Sequence, residues 1–245
     1  MIKKLYDKSE IWFAVVWIII YVVFASVGDN LSASIGVKKI VTLPILVVLS
    51  MIMYFFVRKN DLTETYGLCK TQISSAKMLF YTPLIILSIA NLWHGVALNN
   101  SSAETLLYIV SMLLVGFLEE MIFRGFLYNA MAKNNEKSAI IVSSVTFGVG
   151  HIVNLINGSG AELIPNLLQV IYAIAIGFAF VMVYCKTKSL LLCIITHGIF
   201  NGLGTFANGA VMTPQKQIIT SVLVTIIAGG YALYIALAVK EKNAK

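Results

Sequence analysis

Eight mostly apolar runs, each close to the length that crosses a bilayer as a helix, follow one another along this chain with only short polar connections between them. They are Ile11–Val27, Ile40–Val57, Met78–Leu98, Thr105–Phe123, Ser138–Val153, Leu163–Cys185, Leu190–Phe206 and Ile218–Val239. In hydrocarbon every backbone N–H and C=O must be satisfied by the protein itself, so such runs become helices or strands of a closed barrel. Barrel strands alternate between lipid-facing and lumen-facing residues, and these runs do not alternate. With 59% of its 245 residues hydrophobic, 12% charged and a mean hydropathy of +0.87, the chain has lipid as its main solvent. The expectation is an all-α polytopic membrane protein of about eight transmembrane helices, forming a single membrane domain over residues 1–245.

The formal charge of +7 reflects topology and does not point to nucleic acid. With the N-terminus inside, the inner segments carry Lys3, Lys4, Lys8, Arg58, Lys59, Lys70, Lys77, Lys133, Lys137, Lys186, Lys188, Lys240, Lys242 and Lys245. The outer loops carry only Lys38, Lys39 and Lys216, so the positive-inside bias predicts an N-in, C-in arrangement. The lysines before Ile11 resemble the start of a signal peptide, but the apolar run after them is long for one and is expected to be a retained helix. Cys69, Cys185 and Cys193 lack metal spacing and read as free thiols. Asn154–Gly160, with two glycines, reads as an outer turn, and Trp12, Trp17, Trp93, Tyr54 and Tyr184 as an interfacial belt.

Against this background the ionisable groups inside the runs stand out, because each is costly in lipid and needs a partner or a function. They are Glu119, Glu120, Arg124, His151 and His197, with Asn201 one turn beyond His197. His94, near the outer end of its run, reads as an inter-helix hydrogen-bonding residue. Glu120 and Arg124 are spaced i, i+4 and can form an ion pair on one face. Glu119, rotated about 100° from that face, is left without this partner and is the candidate general base. At ~1.5 Å per residue, Glu119, His151, His197 and Asn201 fall in one layer between the inner surface and the midplane. Gly116, Gly125, Gly148, Gly150, Gly198 and Gly202 flank them and would permit close helix approach.

These residue types support three chemistries, and their spacing does not choose among them. One is peptide-bond hydrolysis by a water activated by Glu119 and a histidine, with His197 and Asn201 holding the oxyanion. A zinc site of Glu119, His151 and His197 could do the same work, although HExxH is absent. A proton or ion pathway through a transporter is the third, although no internal repeat is seen.

The motifs Glu119-Glu120-Met121-Ile122-Phe123-Arg124 (EExxxR), Phe147-Gly148-Val149-Gly150-His151 (FxxxH) and His197-Gly198-Ile199-Phe200-Asn201 (HxxxN) resemble, in order and separation, those of the CPBP intramembrane proteases. That superfamily includes the CAAX prenyl endopeptidases and the bacteriocin-processing and immunity proteins of the Abi group. The resemblance covers a core at residues 105–206 and implies an active site within the bilayer. It implies that Glu119 and His151 activate water and that His197 and Asn201 stabilise the oxyanion. Glu120 and Arg124 would support the site as a pair, with Phe147 packed beneath. The family has been described both as zinc-dependent and as glutamate-dependent, and the metal-free reading is the favoured expectation. The resulting expectation is an endopeptidase of the bacterial cell membrane acting on a membrane-associated peptide or protein. The alternative is a non-catalytic bacteriocin self-immunity protein that binds a peptide or its receptor.

Overall fold

The computed structural model describes residues 2–157 and 160–239. Gly158 and Ser159 of the expected outer turn, and Lys240, Lys242 and Lys245, lie outside the described residues. After a short helix at Ile2–Lys8, eight apolar helical segments follow in the expected order. Six are long and apolar enough to cross a membrane: α1 (Glu10–Ile35), α2 (Thr42–Lys59), α4 (Ser102–Ala132), α5 (Glu136–Leu155), α6 (Leu163–Thr187) and α8 (Pro214–Ala238). Two are shorter, α3 (Ser75–Ser88) and α7 (Leu191–Phe206). Among the described residues there is no strand beyond an isolated bridge between Val96 and Ala207. The protein is an all-α, multi-pass membrane protein.

Helix starts follow local chemistry. Ser101 and Glu104 form a reciprocal capping box at the start of α4, and Ser9, Asn135 and Thr213 cap α1, α5 and α8 with side-chain oxygens. The expected third span, Met78–Leu98, is not one helix. Leu79, Phe80 and Tyr81 adopt φ of 52, 51 and 58°, and helix resumes only at Thr82–Ser88, with Pro83 at its start. The rest of that run is used differently. Asn91 donates to the Phe200 carbonyl at 2.6 Å, Asn99 to those of Thr205 and Ala207 at 3.0 and 2.9 Å, and Asn100 to Thr205 Oγ1 at 2.9 Å. Asn91, which interrupts the run, and Asn99 and Asn100, which follow it, thus bond to groups at the end of α7. His94 behaves as expected, pairing with Thr220 Oγ1 of α8 at 2.7 Å.

The segments pack as one bundle, with α4 against α7, α5 against α6 and α6 against α8. Two apolar clusters result, one built from α1, α2, α4, α5 and one face of α6, the other from α3, α7, α8 and the rest of α6. The helix ends sort into two layers. At one, Lys133 pairs with Glu10, Tyr66 donates to the Tyr6 hydroxyl at 2.9 Å, and Ser189 donates to the Cys69 carbonyl at 2.6 Å. At the other, Asp29 pairs with Lys39 at 2.7 Å, and the Lys38 N–H meets Glu104 Oε1 at 3.3 Å. The interfacial belt is only partly realised. Trp12 and Tyr54 are exposed, whereas Trp17 and Tyr184 are buried, because α4 and the connection at 60–74 cover them. All three cysteines are free thiols.

Half of the six glycines flanking the polar layer mediate close approach. A Cβ on Gly116 would sit 2.8 Å from the Gly198 nitrogen, and one on Gly198 would sit 2.9 Å from Leu113. On Gly148 it would lie 2.3 to 2.9 Å from three atoms of Ile174. Gly125 and Gly202 meet nothing closer than 3.6 Å, and Gly150 meets nothing within 4 Å, so their helices do not depend on the missing side chain. Gly148→Ala should therefore destabilise the α5–α6 contact by about 1–3 kcal/mol, as overpacking does. Thermal unfolding in detergent should show a lowered transition for Gly148→Ala and an unchanged one for Gly150→Ala.

Candidate active site

The polar groups predicted to share a layer are supplied by α4, α5 and α7. At its centre is Glu120, whose side chain is fully buried. Its Oε1 accepts from Arg124 Nη1 at 3.0 Å, one turn along α4, and from His197 Nδ1 at 2.9 Å, across on α7. Arg124, also 0% exposed, donates from Nη2 to the Gly177 carbonyl of α6 at 3.2 Å. Its guanidinium lies over the rings of Phe147 and Phe180, 4.2 and 5.7 Å from their centroids. Gly177 leaves room for this, since a Cβ there would come within 3.3 Å of Nη2. The expected i, i+4 pair is thus one edge of a network joining α4, α6 and α7.

The helix changes winding here. α4 is α-helical through Glu120 and then π-helical over Met121–Tyr128. Wider turns of this kind are rare, and no sequence pattern announced this one. The whole π segment is buried, and Asn129, just beyond it, donates to the carbonyls of Arg124 and Gly125 at 3.1 and 2.7 Å.

Glu119 is not the partnerless carboxylate that helical spacing suggested. Its Oε1 accepts a 2.6 Å hydrogen bond from the hydroxyl of Tyr21 on α1, and its Oε2 lies 3.5 Å from His197 Nε2. Among the described residues, nothing donates a hydrogen bond to Oε2. Sequence reasoning missed Tyr21, which lies 98 residues earlier in a run that reads simply as a span. A weak signal existed in retrospect, because Tyr21, Ala25 and Asp29 form a stripe at helical spacing in that run.

The two histidines share a feature that sets their chemistry. His151 begins the 3₁₀ turn that ends α5, and its Nδ1 meets the Phe147 carbonyl at 3.1 Å. His197 Nδ1 meets a carboxylate. Carbonyl and carboxylate oxygens only accept, so each Nδ1 carries the hydrogen, and each neutral ring keeps Nε2 as its basic nitrogen. Phe147 packs edge-on against both rings, at 5.2 and 5.6 Å. The Asn166 amide, itself buried, donates to the His151 carbonyl at 2.9 Å and braces the turn.

Glu119, His151 and Asn201 line a cavity of about 260 Å³, while His197, His151 and Asn201 line a smaller hollow of about 30 Å³ behind it. The structure therefore brings Glu119, Glu120, Arg124, Phe147, His151, His197 and Asn201 into one neighbourhood. As donor types, Glu119, His151 and His197 are suited to zinc, and their Nδ1 contacts resemble the outer contacts of metal-bound histidines. Among the described residues no group of three or more His, Cys, Asp or Glu side chains is gathered closely enough to hold a metal ion in this arrangement.

Comparison with known proteins bears on the same stretch. Residues 101–203 match the family model of type II CAAX prenyl endopeptidase Rce1-like proteins. A Bacillus subtilis (strain 168) protein named "Putative membrane peptidase YdiL" is 32% identical over 100 residues, which amount to 40% of this chain and 36% of that protein's length. The family match falls on the stretch whose motifs resemble those of the CPBP proteases. The matched residues 101–203 run from the cap of α4 to the end of the helical part of α7 and contain all three motifs, but not Tyr21.

The buried network sets an energetic expectation. Arg124→Leu leaves Glu120 as a buried charge with one partner fewer and should cost about 3–5 kcal/mol. Adding Glu120→Gln removes that charge and should restore part of the loss. Chemical denaturation in detergent that found the double variant less stable than Arg124→Leu would contradict the pairing.

Proposed function

On the premise of that resemblance, we propose that this chain is an intramembrane endopeptidase that hydrolyses a peptide bond of a membrane-associated peptide or protein. The observation that carries the reading is the facing pair Glu119 Oε2 and His197 Nε2, 3.5 Å apart beside a cavity. With Nδ1–H committed to Glu120, a neutral His197 offers an acceptor toward Glu119, which is itself an acceptor. Two acceptors do not bond directly, and a water donating to both resolves the conflict.

In this reading Glu119, held by Tyr21, takes a proton from that water as its oxygen attacks the scissile carbonyl carbon. His151, with its basic nitrogen kept free by the Phe147 carbonyl, assists from the same cavity wall. The carbonyl oxygen becomes an oxyanion, met by the Asn201 amide and by His197 Nε2, to which the facing Glu119 passes the abstracted proton and from which it takes the proton back as the intermediate collapses. The tetrahedral centre then collapses. The C–N bond breaks, the proton held by Glu119 passes to the leaving nitrogen, and the products are a carboxylic acid and an amine. In this reading the steps use the chain's own groups without a metal, and zinc held by Glu119, His151 and His197 is the competing form of the same hydrolysis. The immunity alternative would use the same groups as a pocket without turnover.

Cleavage of peptides by the purified protein tests the reading. Glu119→Gln should abolish turnover while leaving folding intact, and wild-type rates in both Glu119→Gln and His197→Ala would refute the site. Tyr21→Phe removes one hydrogen bond to a charged group, worth about 1.5–3 kcal/mol. It should lower kcat roughly 10- to 100-fold with KM unchanged. Dialysis against a strong chelator should leave activity intact, and loss that zinc restores would replace the metal-free mechanism. Protection against a bacteriocin that survives Glu119→Gln would favour the immunity role.

A further inference from the structure

The main cavity is open at one end only. On α1 it is lined from Tyr21, just before the helix's midpoint, through Ser26 to Asp29 in its second half, and on α2 by Thr42 and Leu46, at its start. On α4 the lining runs from Tyr108 to Glu119 and stops one turn later at Phe123. Its residues on α5, α6 and α7 likewise lie near the helix ends that share this layer. In the other direction the groove between α1 and α4 is plugged. Phe126 packs on Phe13 and Tyr66 with ring centroids 5.0 Å away in each case, and on Trp17 at 6.4 Å, and all four are buried.

The open end has few lysines, and the plugged end carries the basic clusters. By the positive-inside bias the plugged end is cytoplasmic. From Tyr21 to Asp29 the wall of the cavity rises about 12 Å along α1. Its mouth is polar but balanced, because Asp29 and Lys39, with side chains 21% and 17% exposed, neutralise each other. Ser26, Thr42 and the amide of Gln169 add uncharged hydrogen-bonding groups. These polar groups can meet the amides of an extended polypeptide, while Val22, Leu46, Met112 and Val115 offer apolar surface to its side chains.

We propose that the cavity is a one-ended channel that admits polypeptide from the outer face of the membrane, so that the substrate is a segment presented on the side opposite the lysine-rich end. The nature of the occupant rests on the endopeptidase reading, whereas the side of access rests on the plug, the mouth and the lysines. Cysteine accessibility in membrane vesicles tests it. In a Cys69→Ser background, where Cys185 and Cys193 are buried, Ser26→Cys places a thiol in the cavity and Lys70→Cys places one at the plugged end. Ala25→Cys, also on the cavity wall, serves if Ser26→Cys fails to fold.

A membrane-impermeant maleimide should label Ser26→Cys in right-side-out vesicles, with labelling lost in sealed inverted ones, and Lys70→Cys should show the reverse. Labelling of Ser26→Cys only in inverted vesicles, or from neither side while Lys70→Cys reacts, would overturn the proposal. Labelling requires no turnover, so the two readings fail separately. An inactive protein with the expected pattern would sink the endopeptidase reading alone, and an active one with the pattern reversed would sink the outer channel alone.

Discussion

One carboxylate oxygen organises the protein. Glu120 Oε1 binds both Arg124 and His197, out of contact with water, and through them ties α4 to α6 and α7. Burying such charges is costly, and the cost is offset only when partners and hydrogen bonds are in place. The network therefore forms only when three helices are correctly aligned, and misaligned bundles leave a charge stranded. The aromatic rings of Phe147 and Phe180, one from each apolar cluster, close around the guanidinium and join the two halves of the bundle at this point.

The same network prepares the neighbouring groups. By accepting from His197 Nδ1, Glu120 fixes the ring's tautomer and turns Nε2 toward Glu119. Two adjacent glutamates on one helix thus face different surroundings. Glu120 is enclosed by Arg124 and His197, whereas Glu119 has one oxygen held by Tyr21 and the other beside the cavity. Close contacts at Gly116, Gly148, Gly177 and Gly198 let the backbones approach far enough for these short bonds. The π-helical stretch after Glu120 lies wholly within the buried face, where tertiary contacts can sustain an unusual winding.

A helix outside the matched segment completes the site. α1 supplies the Tyr21 hydroxyl to Glu119, one wall of the cavity, and Phe13 and Trp17 of the aromatic plug. The three-motif core is therefore not self-sufficient in geometry. Its carboxylate is held, and its cavity bounded, by residues that no local motif marks.

The sequence alone determined what depends on short-range geometry and on the nature of the solvent. Apolar run lengths specified the helices, i, i+4 spacing specified the Glu120–Arg124 pair, and rise per residue placed Glu119, His151, His197 and Asn201 at one depth. Where a run carried polar residues, length misled. Met78–Leu98 was long enough to span, but its backbone leaves the helix at Leu79–Tyr81 and its Asn91 bonds instead to the Phe200 carbonyl of α7. Only the tertiary structure decided which groups meet. Glu120 and His197 are 77 residues apart, and Tyr21 and Glu119 are 98 apart. Those contacts depend on helix rotation and packing, as does the burial of Trp17 and Tyr184, and a single sequence carries no spacing rule for either.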